Sequence, residues 1–166
     1  MLDRRHFTLA GSAFVIAGCS GATQSQSTET RKTAVMNAST DNSIDWANMS
    51  EREWSERLTP EEFRVLRKEG TEAPWTSPLN DEKRVGTFVC AGCANPLFES
   101  STKYESGTGW PSFFDVIDGA VNTKRDFKLI VPRTEYHCAQ CGGHQGHVFK
   151  DGPAPTGLRY CNNGVA

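Results

Sequence analysis

Two cysteine pairs, "CAGC" at Cys90 and Cys93 and "CAQC" at Cys138 and Cys141, constrain this chain more than any other feature. Two residues between cysteines let both thiolates of a pair face one ion. A duplicated pair matches the ligand set of tetrahedral zinc, with Zn–S near ~2.3 Å. Gly92 and Gly142 relieve crowding beside the sulfurs. Forty-four residues, Ala94 to His137, separate the pairs, whereas a minimal zinc ribbon has about 15–20. A sub-sheet with its loops is therefore expected between the two knuckles. Two disulfides are the competing reading, and a thioredoxin-like redox pair is another. Nothing in the chain reads as the βαβ unit the latter needs.

The segment before the knuckles reads as a short helical arm. Ser50 with Glu53, and Thr59 with Glu62, are capping-box patterns, and Pro60 suits a first helical position. Trp54 and Leu58 fall on one helical face, Phe63 and Leu66 on another, and Gly70 is expected to stop the second helix. Strand patterns follow. "RVGTFVC" alternates through Val85, Thr87 and Val89. In "FFDVIDGAVN", Asp118-Gly119 predicts a hairpin turn, and "DFKLIVPRTEYHC" places Phe127, Leu129 and Val131 on one strand face. The fold class is mainly β, and the globular domain is expected over residues 45–166.

The N-terminus reads as an export signal over residues 1–19. Arg4 and Arg5 precede the apolar run "FTLAGSAFVIAG", which has signal-peptide length and is too short to span a bilayer. "DRRHFTLAG" resembles a twin-arginine signal, and "VIAGC" resembles a lipobox that would make Cys19 a lipid anchor to the membrane. An ordinary cleaved signal with an incidental cysteine is the alternative. Residues 20–44 are rich in Ser, Thr, Gln and Asn and read as a flexible linker. The expected location is the periplasm or cell envelope. A twin-arginine route carries folded proteins, so zinc could be loaded before the thiols meet oxidant. A net charge of −2 provides no electrostatic footprint for nucleic acid.

With the knuckles and Cys19 set aside, Cys161 in "GLRYCNNGVA" is the remaining thiol of six. A lone cysteine is most often buried structure. Here Arg159 can favour the thiolate, and Asn162 and Asn163 are hydrogen-bonding neighbours. His144 and His147 lie upstream in a Gly-rich stretch. The three residues suit either a metal site or nucleophilic catalysis by cysteine near histidine. Trp110, between Gly109 and Pro111, is either core or a presented apolar platform.

The strings "SGTGWPSF", "RTE" and "GGHQGHVFKDGPAPTGLRYCNN", together with the two CxxC pairs, resemble the B-type methionine sulfoxide reductases over Trp46 to Ala166. The resemblance implies two antiparallel sheets and one structural zinc on Cys90, Cys93, Cys138 and Cys141, away from the active site. It implies reduction of methionine-R-sulfoxide in oxidised proteins, with electrons from a thioredoxin-like protein or a small thiol. Cys161 matches the nucleophile, His144 and His147 the active-site histidines, and Asn163 the asparagine that follows. Glu135 and Asp151 match supporting acids, and Trp110 the residue that receives the substrate methyl; Arg159, from its place beside Cys161, is a further catalytic candidate and Phe149 a further substrate-binding one. Two departures stand out. Many members carry a resolving cysteine where this chain has Thr108, which implies direct reduction of a sulfenic acid by an outside thiol. The family also usually runs on into a further short strand beyond the position of Ala166.

Overall fold

The computed structural model describes residues 44–166. The export signal, Cys19 and the linker up to residue 43 lie outside the described residues. Two short helices open the described part, α1 (Glu51–Arg57) and α2 (Pro60–Leu66). Both capping boxes form. Ser50 N–H donates to Glu53 Oε2 at 2.7 Å, and Thr59 N–H to Glu62 Oε2 at 2.7 Å. Each helix buries one side through Trp54, Val65 and Leu66. The second helix ends at Leu66 rather than at Gly70. Arg67 caps it, and Glu69, not a glycine, takes the left-handed turn at φ 52°.

Eight strands follow. β1 (Thr87–Val89) and β2 (Pro96–Glu99) form a small antiparallel sheet. The remaining six are β3 (Lys103–Tyr104), β4 (Ser112–Phe113), β5 (Val121–Asp126), β6 (Arg133–Cys138), β7 (His144–Phe149) and β8 (Arg159–Asn162). They form one sheet in the order β3-β4-β8-β7-β6-β5, antiparallel throughout. Among the described residues no helix is long and apolar enough to cross a membrane.

Three local expectations are corrected. Asp118-Gly119 is a turn, but it does not close a hairpin, because β4 pairs with β3 and β8 while β5 pairs with β6 at the far edge. Phe127, Leu129 and Val131 are not on a strand; they lie in the β5–β6 connection, and β6 starts only at Arg133. Val85 stands outside β1 and is exposed. In each case tertiary pairing overrides a short apolar pattern.

Strand alternation then divides the large sheet into two faces. On one face Phe113, Tyr136 and Tyr160 join Phe98 of β2 in an aromatic core. Phe98 and Phe113 stack at 4.1 Å, and Tyr136 meets Tyr160 edge-on at 5.3 Å. Phe98, Phe113 and Tyr136 are almost fully buried, and truncating one such ring costs roughly 3–5 kcal/mol. The opposite face carries Cys161 and its neighbours.

Candidate active site and metal centre

Register places a row of polar side chains straight across this second face. Ser112 of β4 pairs with Cys161 of β8, Cys161 with His147 of β7, His147 with Glu135 of β6, and Glu135 with Lys124 of β5. Directly paired residues share a face, so five strands contribute to one line of chemistry. His144 is three residues from His147, and in a regular strand it would point the other way. A bulge resolves this: His137 pairs with His144 and Tyr136 with Gly146, leaving Gln145 as the extra residue. The two imidazoles consequently meet edge-on, 5.5 Å apart. Gly146 is required there, because a Cβ would lie 1.9 Å from the Cys161 carbonyl oxygen.

Cys161 lines a cleft of about 120 Å³ together with Trp110, Arg133, His147 and Phe149. Burial pushes its thiol up, and the neighbouring Arg159 and Thr108 only partly pull it back. Arg159 alone was expected to favour the thiolate. Burial outweighs it, and Asp151, which opposes it more weakly, binds the same guanidinium through two bonds, from Nε at 2.9 Å and Nη2 at 2.8 Å. The guanidinium also stacks over the Phe149 ring at 4.4 Å. Alkylation of Cys161 by iodoacetamide is accordingly expected to rise only above the ordinary thiol range of about 8.5. Arg159→Met should move that midpoint further up, because a cation that stabilises the thiolate has gone. A midpoint below about 8 in the unmutated chain would contradict this balance.

His147 is held by residues the sequence did not single out. Its Nε2 lies 2.7 Å from Asp126 Oδ2, and Arg133 Nη2 donates to the same oxygen at 2.7 Å. The Lys128 backbone N–H, then His147 and Arg133, hold the Asp126 carboxyl well below the usual carboxylate range. Burial lowers His147, against the raising pull of Asp126. An ionised Asp126 can only accept, so Nε2 carries the hydrogen and Nδ1 keeps its lone pair. Nδ1 has no hydrogen-bond partner among the described residues. No local signal marks Asp126, which meets His147 only through pairing across three strands. Arg133 begins the "RTE" string.

His144 lies behind this pair rather than on the cleft. It is 2% exposed, and its Nδ1 is 2.9 Å from Glu135 Oε1, near enough for an ion pair but off the line a hydrogen bond needs. Lys124 Nζ reaches Glu135 Oε2 at 3.2 Å. The Asn163 side chain makes its hydrogen bonds away from both histidines. Its Oδ1 accepts from the Glu72 N–H at 3.0 Å, and its Nδ2 donates to the Gln145 carbonyl at 2.9 Å.

Glu72 is the second residue without a sequence signal. It is buried, accepts from the Gly164 N–H at 2.6 Å and the Val165 N–H at 3.2 Å, and its carbonyl takes the Trp110 indole N–H at 3.1 Å. Burial raises this carboxyl, against the lowering effect of those two N–H groups. One residue thus fixes the edge of Trp110 and the chain just beyond Cys161. The same loop needs Gly109, at φ 90°, where a Cβ would lie 2.8 Å from Pro74 Cβ and 2.9 Å from Trp75 Nε1. Trp110 is therefore a cleft wall rather than core.

The four knuckle cysteines converge as expected. Cys90 and Cys93 follow β1, Cys138 ends β6 and Cys141 sits in the β6–β7 turn. All four sulfurs lie within 4.8 Å of one another, with 3.7 Å between Cys90 and Cys141 and 3.6 Å between Cys93 and Cys138. A tetrahedron with Zn–S of ~2.3 Å has edges of about 3.8 Å, so the spacing fits zinc and is far too long for S–S bonds of about 2.05 Å. The Gly143 N–H and the Gln145 side-chain amide point at sulfurs at 3.4 Å, as donors to thiolates would. Left to themselves the sulfurs cannot ionise together: Cys138 and its neighbours push Cys90 far up, while Cys141, Cys90 and Cys93 hold Cys138 far down. A divalent cation removes that conflict. Trp54 and Leu66 pack beside Gly92 and Gly143, so the helical arm closes over the cluster. Glu135, which pairs with His147, stands three residues before Cys138 on β6, so the Cys161–His147 row and the cluster are separated by roughly 10 Å at ~3.4 Å per residue. Among the described residues no second group of three potential metal ligands appears, which speaks against a metal on His144, His147 and Cys161.

The SelR domain model matches residues 58–166. A peptide methionine sulfoxide reductase MsrB of Leptospira interrogans is 52% identical over 120 residues, covering 72% of this chain and 92% of that protein. That of Agrobacterium fabrum is 52% identical over 118 residues, covering 70% and 87%. That of Pseudomonas putida is 54% identical over 114 residues, covering 68% and 86%. The chain belongs to the MsrB family.

Within this MsrB domain, Thr108 takes the place at which many members resemble one another in carrying a second cysteine. Its hydroxyl sits beside the Cys161 sulfur and shares a hydrogen bond of 2.9 Å with Ser106, which in turn bonds Ser112 at 2.7 Å. Cys161 is thus surrounded by hydroxyls on its β4 side, and the described cysteines outside the cluster number one.

Proposed function

We propose that this chain reduces methionine-R-sulfoxide in oxidised proteins to methionine, with Cys161 as the nucleophile. The observation that carries this reading is the pairing of Cys161 with His147 across β7 and β8 at the cleft, with His147 Nε2 occupied by Asp126 and Nδ1 left open. The Cys161 sulfur attacks the electrophilic sulfoxide sulfur while its proton passes to His147 Nδ1 and on to the sulfoxide oxygen. Asp126 stabilises the imidazolium in between, the logic of a histidine oriented by a carboxylate. In the adduct so formed the S–O bond of the substrate breaks as its hydroxyl passes to the Cys161 sulfur, and the new S–S bond breaks to release methionine. The oxygen ends on Cys161 as a sulfenic acid, so cysteine is oxidised by the two electrons that methionine gains. The Trp110 face and Phe149 hold the methyl group and exclude water. His144, Glu135 and Lys124 back the site, Asn163 anchors the end of β8, and Asp151 orients Arg159.

Thr108 cannot form a disulfide, so the sulfenic acid is reduced from outside. A thiolate displaces the hydroxyl as water and forms a mixed disulfide; a second thiolate then releases Cys161. The donor is a small thiol or a thioredoxin-like protein. The test uses the separated R and S diastereomers of a methionine sulfoxide peptide with dithiothreitol, followed by one equivalent of substrate without reductant. Turnover of the R form and a dimedone-reactive Cys161 are expected. Comparable turnover of the S form overturns the stereochemical assignment, and a stoichiometric disulfide to Cys161 overturns the one-cysteine route.

The cysteine cluster holds one zinc whose role is structural; the tetrahedral spacing and the donors to sulfur support it. Export and lipidation at Cys19 rest on Arg4 and Arg5, the apolar run and "VIAGC". Palmitate labelling of the full chain should vanish in Cys19→Ala, and labelling that persists overturns the anchor.

A further inference from the structure

Among the described residues, four of the eight large exposed apolar side chains lie together. Phe127, Leu129, Ile130 and Val131 are 71, 56, 103 and 73% exposed, and all four occupy the connection between β5 and β6. Such connections are ordinarily built from polar turn formers, and a contiguous exposed apolar group marks a contact surface. The two ends of this connection belong to the site. Asp126 binds His147, and Arg133 lines the cleft. The other wall of the cleft is Trp110, and its loop is joined to Trp75 by a backbone bond of 2.7 Å from Trp75 N–H to the Gly109 carbonyl. Trp75 is itself 65% exposed. Apolar surface therefore continues outward from the Arg133 wall and from the Trp110 wall.

We infer that the 127–131 connection and Trp75 are subsites for the apolar residues that flank the sulfoxide in a polypeptide substrate. The inference rests on the reductase reading. A cleft of about 120 Å³ accommodates the methionine side chain and little more. An extended peptide advances ~3.3 Å per residue, so two or three residues carry it from the cleft onto either surface. Methionine is mostly a buried residue, and the chain around it is correspondingly apolar. Charge favours this occupant over an anionic lipid surface. Lys124 and Lys128 both pair with Glu69, and Arg133 with Asp126, so these cations are already answered within the chain.

The double variant Leu129→Ser/Ile130→Ser, in the full zinc-loaded chain, tests this. Three substrates are compared with dithiothreitol as donor: a single blocked methionine-R-sulfoxide residue, a peptide with Leu and Val around the sulfoxide, and the same peptide with Gly and Ser. The variant should match the unmutated chain on the first and third. On the apolar peptide, kcat/KM should fall about tenfold through KM, equivalent to roughly 1.4 kcal/mol of lost contact. An equal loss on all three substrates, or none on the apolar peptide, overturns the inference. Val131→Ser should give a smaller shift of the same pattern, and its failure to do so with a normal melting temperature counts against the inference as well. Sedimentation with phosphatidylglycerol vesicles is the remaining arm: vesicle binding lost in the double variant, with peptide kinetics unchanged, assigns the surface to lipid and overturns it. If the unmutated chain reduces none of the three substrates, the reductase reading itself has failed, which is a separate result.

Discussion

Cys161→Ser is expected to remain folded and metal-loaded and to lose sulfoxide reduction by a factor on the order of 10³ or more, the scale of losing a covalent nucleophile. The backbone of residue 161 pairs with Ser112 on one side and His147 on the other, and neither pairing involves the side chain. Serine is nearly isosteric and enters a setting that already holds the hydroxyls of Thr108 and Ser112, so the stability cost should stay near about 1 kcal/mol. The chemistry, by contrast, cannot proceed. A hydroxyl is a far weaker nucleophile than a thiol, and accepting the sulfoxide oxygen would require an O–O bond in place of the sulfenic acid. Circular dichroism and zinc content report the fold, and methionine release reports the reaction. Turnover retained within tenfold of the unmutated chain would remove Cys161 from the mechanism.

Cys93→Ser should have the opposite signature, losing metal and stability together. Cys93 is the one knuckle cysteine that is only partly buried, so the substitution leaves little cavity and isolates the metal contribution. A structural zinc site contributes on the order of 10 kcal/mol, whereas a domain is stable by about 5–15 kcal/mol in total. Most of the folding free energy should go, because the cluster ties the end of β1 to the β6–β7 turn and seats the helical arm. Thermal unfolding with metal analysis is the measurement. A variant that binds no zinc yet melts within a few degrees of the unmutated chain would show that the cluster is not what holds the sheets together. Two disulfides found in the non-reduced protein would displace zinc altogether.

Local signals carried much of the architecture. The CxxC spacing names its chemistry because two thiolates so close in sequence must share whatever they bind. The boxes at Ser50–Glu53 and Thr59–Glu62 announce their helices because the bonds span three residues. Cys161, His147 and Trp110, singled out as a thiol, an imidazole and an aromatic in unusual surroundings, line one cleft. Other features lie beyond local reading. Asp118-Gly119 looks like a hairpin, yet β8, β7 and β6 intervene between the strands on either side of it. His144 and His147 share a face only because the β6–β7 pairing inserts one residue, which reverses the strand parity. Asp126 reaches His147, and Glu72 reaches Trp110, Asn163 and Gly164, across separations at which the sequence carries no periodic signal. Caps, turns and metal knuckles are decided within a few residues by hydrogen bonds and ligand geometry. The partners of a buried carboxylate depend on sheet order and register, and those are chosen by the packing of the whole core.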